Sequence, residues 1–200
     1  MRERADVPKK VDHRERREAI ARALWRVVAQ QGWNRATMRE VAHEAEASLG
    51  QVQHYFSTRT AMLAFAMEFA AEQASRRVAE SLAGATHPRD VLRVTLTEML
   101  PLHPDARATS RMNAAYVLEA LHDPELHTKL RDDLREKRAL VEHLIRQAIA
   151  DGHIAADRDP AVETNLVLAL TGLTPLLELD VIESRAALMA VDQYLDRLFA

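Results

Sequence analysis

Residues 37–56, TMREVAHEAEASLGQVQHYF, carry one helix-start pattern twice, as Thr37-Met-Arg-Glu40 and as Ser48-Leu-Gly-Gln51. In this S/T-x-x-E/Q arrangement a hydroxyl accepts from the backbone N–H three residues on. The acid or amide at that third position reaches back to the first residue's own N–H. Two helix starts 11 residues apart leave room only for two very short helices, about 37–45 and 48–55. With a turn of a few residues between them, the segment is a helix-turn-helix by geometry.

The flanking sequence supplies a core for it. Ile20, Leu24, Val27 and Val28 recur on one helical face, so a first helix is expected over about 13–31, with Gly32 as a left-handed cap. Residues 1–12 mix charges around Pro8 and read as a flexible basic arm. Thr58 caps a long fourth helix that runs to about Gly84. Pro88 suits the first turn of a fifth, to about Leu100, which Pro101 and Pro104 end. Helices of about 105–121, 124–151, 160–179 and 184–199 follow, nine in all. The expected fold is all-α, with a three-helix head at 13–57 and a larger helical domain at 58–200.

Composition agrees. Five glycines and seven prolines in 200 residues suit few turns, and 48% apolar with 28% charged residues is ordinary for a globular chain. Cysteine is absent, which excludes disulfides and thiolate metal sites. MRERADVPKK lacks the apolar core of a signal peptide, and no apolar run approaches membrane-spanning length; the expected location is cytoplasmic, away from membranes. The net charge of −3 is uneven. Residues 1–60 carry 12 Lys or Arg against 8 Asp or Glu, while residues 61–200 carry 15 against 22. A polyanion would meet the first part.

The short helix after Ser48 has the chemistry for that meeting. With Leu49 or Val52, and Phe56, as its anchors, Gln51, Gln53, His54 and Tyr55 point largely outward. Gln pairs in bidentate fashion with adenine in the major groove, and His and Tyr reach phosphates or thymine methyls. No carboxylate occurs from Ala47 to Arg59. Thr37 and Ser48 stand at helix N-termini, whose free N–H groups attract anions. Gly50 permits close backbone approach.

TMREVAHEAEASLGQVQHYFSTRTAML resembles the DNA-binding head of the TetR family of bacterial repressors. Thr37, Ser48, Gly50, Tyr55, Phe56 and Arg59 occupy that family's motif positions, over about residues 16–69. The resemblance implies Thr37, Ser48, Leu49, Gly50, Gln51, Gln53, His54, Tyr55 and Arg59 as the DNA-contacting set. Two departures stand out. Glu46 replaces the usual turn glycine, and Leu49 replaces a common lysine, removing one phosphate contact. The segment AAYVLEALHDPELHTKLRDDLREKRALVEHLIRQA is more loosely similar to the choline-responsive betaine-pathway repressors.

One recognition helix reads few base pairs, so a two-fold dimer on a palindromic double-stranded operator is expected. Leu166, Leu170, Leu173 and Leu177 belong to a helix apolar on nearly all sides, and Leu188, Val191 and Leu195 form a coiled-coil-like seam. These seven are the expected homodimer interface, with Pro175 bending its helix. The resemblance places a small-molecule effector among the fifth to seventh helices, where His103, Arg111, Asn113, Tyr116 and Glu119 are the polar candidates. Past residue 70 the aromatics are Tyr116, Tyr194 and Phe199, poor material for a cage around a quaternary amine. A lipophilic or amphipathic effector fits better.

The sequence holds no HExxH, P-loop, GxSxG or Gly-rich dinucleotide turn, so no enzyme is expected. His122 and His127 do not share a helix face, and no metal or cofactor is expected. The reading is a ligand-responsive transcriptional repressor. The alternative is a helical small-molecule-binding protein whose head no longer reads DNA specifically, with Glu46 and Leu49 as its support.

Overall fold

The computed structural model describes residues 9–82, 84 and 87–200, so the proposed arm lies outside the described residues up to position 8. Ten α-helices follow one another among the described residues: α1 (Lys9–Gln31), α2 (Met38–Glu44), α3 (Leu49–Tyr55), α4 (Arg59–Ser81), α5 (Pro88–Glu98), α6 (Pro104–Ala120), α7 (Pro124–Ala150), α8 (Pro160–Ala169), α9 (Thr174–Glu178) and α10 (Ser184–Leu198). Helix α1 starts at Lys9, four residues before the expected 13. The chain divides into two compact units, one ending at Ala70 and the other spanning Ala71–Ala200. The first unit therefore takes in the opening turns of α4, past the expected boundary at 57.

In the first unit α1 packs on α2 and α2 on α3. Ile20, Leu24, Val27 and Val28 of α1 are buried with Val41, Val52, Phe56, Met62 and Leu63. Burying each such side chain stabilises by about 1.5–3 kcal/mol. Helix α1 ends as Gly32 donates its N–H to the Val28 carbonyl at 3.0 Å. Gly32 sits at φ 79, ψ 166, not in the expected left-handed helical well but in a region essentially reserved for glycine. A Cβ there would touch nothing, so the requirement is conformational alone.

The second unit wraps a core of Leu92, Leu96 and Leu100 from α5, Val141, Ile145 and Ala148 from α7, Val167, Leu177, and Ala187, Val191, Leu195 and Leu198 from α10. Arg93 makes a two-pronged hydrogen bond to Asp192, at 2.6 and 3.1 Å, joining α5 to α10. That hydrogen bond, ahead of opposing desolvation, holds the Asp192 carboxyl below its ordinary value. Its contribution is present above about pH 4 and is lost as pH falls below it.

The expected single helix over 160–179 is broken. Residues 170–173 tighten into a 3-10 turn between α8 and α9. Pro175 has no N–H for the Thr171 carbonyl, and its ring crowds that oxygen. Thr174 donates to Thr171 instead. With its break, Pro160–Glu178 has the length and mean hydropathy of a membrane span, contrary to the expectation that none approached it, though 22% of it is buried in the protein.

Candidate nucleic-acid interface

Both helix starts that organise the head are present, unequally. The Ser48 hydroxyl accepts from Gln51 N–H at 3.1 Å, and Ser48 N–H donates to Gln51 Oε1 at 3.0 Å, a complete reciprocal box. At α2 only half forms: Thr37 accepts from Glu40 N–H at 3.1 Å. The Glu40 carboxylate instead takes Gln31 Nε2 at 3.2 Å, tying α2 to the end of α1.

The turn between α2 and α3 keeps its path despite the missing glycine. Glu46 N–H donates to His43 O at 3.1 Å and Ala47 N–H to Ala42 O at 2.9 Å, the two bonds of a Schellman motif. Its pivot, Glu46, lies at φ 50. The same motif after α7 pivots on Gly152 at φ 77. An L-residue in this well costs roughly 1–2 kcal/mol, partly offset because a glycine is looser in the unfolded chain. Glu46→Gly is therefore expected to stabilise the head by about 0.5–1 kcal/mol, read as a raised thermal midpoint. An unchanged or lowered midpoint would contradict the strain.

Helix α3 turns Val52 and Phe56 inward, both buried. Gln51, Gln53 and His54 are exposed, with Tyr55 half-buried beside them and Leu49 half-buried at the start. Thr37, Ser48 and Gly50 are also exposed. Gln51 has its Oε1 engaged in the box, so Gln53 and His54 are the long polar side chains of α3 without that restraint. A Cβ on Gly50 would meet only Ser48 Oγ, at 3.9 Å. Packing within the chain does not require glycine there.

Arg59, a member of the DNA-contacting set, also makes a contact within the head. Its guanidinium lies 3.7 Å from the centre of the Trp33 ring and donates to the Trp33 carbonyl, pinning the short 3-10 turn Trp33–Arg35. A residue the sequence reading left out, His13 of α1, lies with its ring centre 4.6 Å from that of Tyr55. No local sequence signal brings positions 13 and 55 together.

In the second unit the polar candidates are spread along α6 and its N-terminal cap. His103 caps α6, its Nδ1 accepting from Ala106 N–H at 3.2 Å. Arg111 pairs with Glu178 at 3.1 Å, Asn113 is exposed, Glu119 is half-buried, and Tyr116 is buried. Three of the seven expected interface residues, Leu177, Val191 and Leu195, are fully buried in this unit's own core. Leu166 is exposed; Leu170, Leu173 and Leu188 are half-buried. The outward apolar residues of this region are Val162, Leu166, Leu176, Leu179, Val181 and Met189. Periodicity finds two apolar sides of a helix but does not say which one faces home.

Known proteins share both halves. The pattern of bacterial regulatory proteins of the tetR family matches residues 20–65, and that of the C-terminal part of BetI-type transcriptional repressors matches residues 88–200. HTH-type transcriptional regulator PksA of Bacillus subtilis (strain 168) is 32% identical over 167 residues, 81% of this chain and 82% of that protein. The crystal structure of a transcriptional regulator from Rhodococcus sp. Rha1 superposes with a TM-score of 0.76 at 26% identity, covering 91% of this chain and 95% of that one. A protein from Saccharomonospora viridis crystallised in complex with choline has a TM-score of 0.77 at 19% identity, covering 92% and 95%. That last likeness concerns the fold alone. Helix-turn-helix head, helical second unit and these matches agree: the chain belongs to the TetR family of bacterial transcriptional regulators.

Proposed function

We propose that this regulator is a cytoplasmic repressor that binds a palindromic operator as a homodimer and is released by a small lipophilic or amphipathic effector. The observation that carries the DNA-reading half is the outward face of α3. Gln53 and His54 stand exposed on it, no carboxylate interrupts it, and Gly50 opens the backbone for a reason that packing does not supply. Leu49 lowers the number of phosphate contacts, and with Arg59 engaged on Trp33 the salt dependence is expected to be shallow for the family. A maintained turn geometry at Glu46 argues against the alternative of a head that has lost DNA reading.

Val162, Leu166, Leu176 and Leu179, with Met189 of α10, supply the apolar surface for a second copy. Two recognition helices about 34 Å apart would then read successive major grooves. As for the effector, the aromatics of the second unit are separately engaged. Tyr194 bonds Glu163 at 2.7 Å, Phe199 lies against His87, and Tyr116 is buried. This favours an aliphatic site over a choline-type cage.

The test sets Gly50→Ala beside Gln53→Ala, using a duplex that the wild-type protein enriches from a random-sequence pool. Alanine within α3 is expected to raise the head's stability by up to about 1 kcal/mol while weakening DNA binding, opposite signs that a purely structural glycine would not give. Gln53→Ala is expected to lose about 1–3 kcal/mol of discrimination at one base pair per half-site. Wild-type affinity and base preference in both variants would refute the assignment of α3.

A further inference from the structure

Three rings meet at the C-terminal end of α3. Tyr55 lies between two histidines, with its ring centre 4.6 Å from His13 and 5.2 Å from His54, each contact edge-on. The two imidazoles are themselves 6.3 Å apart, centre to centre. Both histidines are exposed, and they come from different helices, His13 from the start of α1 and His54 from the recognition helix.

Their charged surroundings are mostly basic. Helix α1 carries Lys9, Lys10, Asp12, Arg14, Glu15, Arg16 and Arg17 on either side of His13 in sequence. Of these, Arg14 is paired with Glu18 at 3.0 Å, and Arg17 lies over the rings of Phe56 and Phe65. Helix α3 brings no charged residue besides His54, and the preceding turn brings Glu46. Among the described residues no ion pair joins either histidine to a carboxylate.

We propose that His13 belongs to the DNA-contacting surface, and that with His54 it makes operator binding proton-linked. His13 has two tasks in this reading, which rests on the assignment of α3 as the recognition helix. As a positioning residue it holds the Tyr55 ring by edge contact, fixing the phenol at the mouth of the groove. Beside His54, with ring centres 6.3 Å apart, it also completes a two-imidazole clamp for one phosphate. A phosphate against both rings favours their charged forms. DNA binding therefore takes up protons wherever the rings are neutral in the free protein. Imidazole is the side chain whose charge ordinarily changes between about pH 5 and 8, and the experiment spans that range.

By linkage, affinity rises as pH falls, by up to about tenfold per pH unit for each proton taken up. Each added positive charge on a phosphate also steepens the salt dependence, by about 0.9 in the slope of log affinity against log salt. Neutral head groups would show neither change.

The experiment measures binding of the full chain to its selected duplex at about pH 8 and pH 6, over a range of salt, for wild type, His13→Gln, His13→Phe and His54→Gln. Both replaced positions are exposed, and the thermal midpoint of each variant checks the fold. The expected result is tighter wild-type binding and a steeper salt slope at the lower pH. His13→Gln should lose part of that gain and also bind more weakly at the higher pH, where Tyr55 has lost its brace. His13→Phe, which keeps a ring against Tyr55 but no proton, should recover the high-pH affinity and still lack the gain. Wild-type pH and salt slopes in both His13 variants would overturn the proposal. Selective binding without proton linkage sinks this inference alone, whereas a wild-type protein that enriches no duplex at either pH sinks the α3 assignment beneath it.

Discussion

Leu195→Ala should lower the stability of the second unit by about 2–5 kcal/mol and leave the state of assembly unchanged. Leu195 has no exposed surface and sits on α10 among Leu92, Ile145, Val191 and Leu198. Truncation removes the contacts of a branched side chain and leaves a cavity that the surrounding helices fill only in part. For a unit of this size the thermal midpoint should fall on the order of 10 °C. Leu166→Glu makes the contrast. Leu166 is 47% exposed and faces away from that core, so a carboxylate there is solvated in a lone protomer. It would be stranded in a dry interface between two copies, at a cost of several kcal/mol. Sedimentation at matched concentrations should therefore show a dimer for Leu195→Ala and a shift toward monomer for Leu166→Glu. The reverse pattern would place the subunit contact on the seam through Leu188, Val191 and Leu195, as periodicity alone suggests.

That pair of residues also marks where the sequence stops being informative. Short-range devices were legible because their partners lie within a few residues. The Ser48–Gln51 box, the Gly32 exit, the Thr58 cap and the proline start of α5 all follow from local hydrogen-bond accounting, while Pro104, read as an end of α5, opens α6. The left-handed demand at Glu46 follows instead from the family resemblance, which puts a glycine at that turn. Partners distant in sequence were not legible. Arg59 meets Trp33 across 26 positions, a contact within the head that no local pattern announces. His103 and Arg111 stand out in sequence only as polar residues, while in the fold one caps α6 and the other pairs with Glu178. A chain of helices determines which faces are apolar, while the pairing of those faces is decided only when they pack.

Glu163 is the buried group that sequence inspection passes over. Glu163→Ala is expected to cost about 3 kcal/mol, larger than any surface ion pair here. Its side chain is 7% exposed, on the first turn of α8. One oxygen accepts from Arg158 at 3.1 Å and the other from the Tyr194 hydroxyl at 2.7 Å. Removing one partner of a buried pair costs about 3–5 kcal/mol when the other charge is trapped. Arg158 is 46% exposed and can turn to water, which sets the expectation at the low end. Tyr194 cannot escape so easily. Burial first, then the bond to Glu163 and its charge, push the phenol well above the usual tyrosine range. A group whose folded pKa is raised contributes stability that is full below the unfolded value, about pH 10, and is lost as pH rises beyond it. Wild-type stability should thus decline through the alkaline range, and Tyr194→Phe should flatten that decline while costing about 1–3 kcal/mol at neutral pH. The two substitutions share a bond, so Glu163→Ala with Tyr194→Phe should cost less than the sum of the singles. Denaturant titrations at neutral and alkaline pH check both points. Strict additivity, or an unchanged alkaline slope in Tyr194→Phe, would mean that the carboxylate and the phenol do not hold α8 to α10 as a unit.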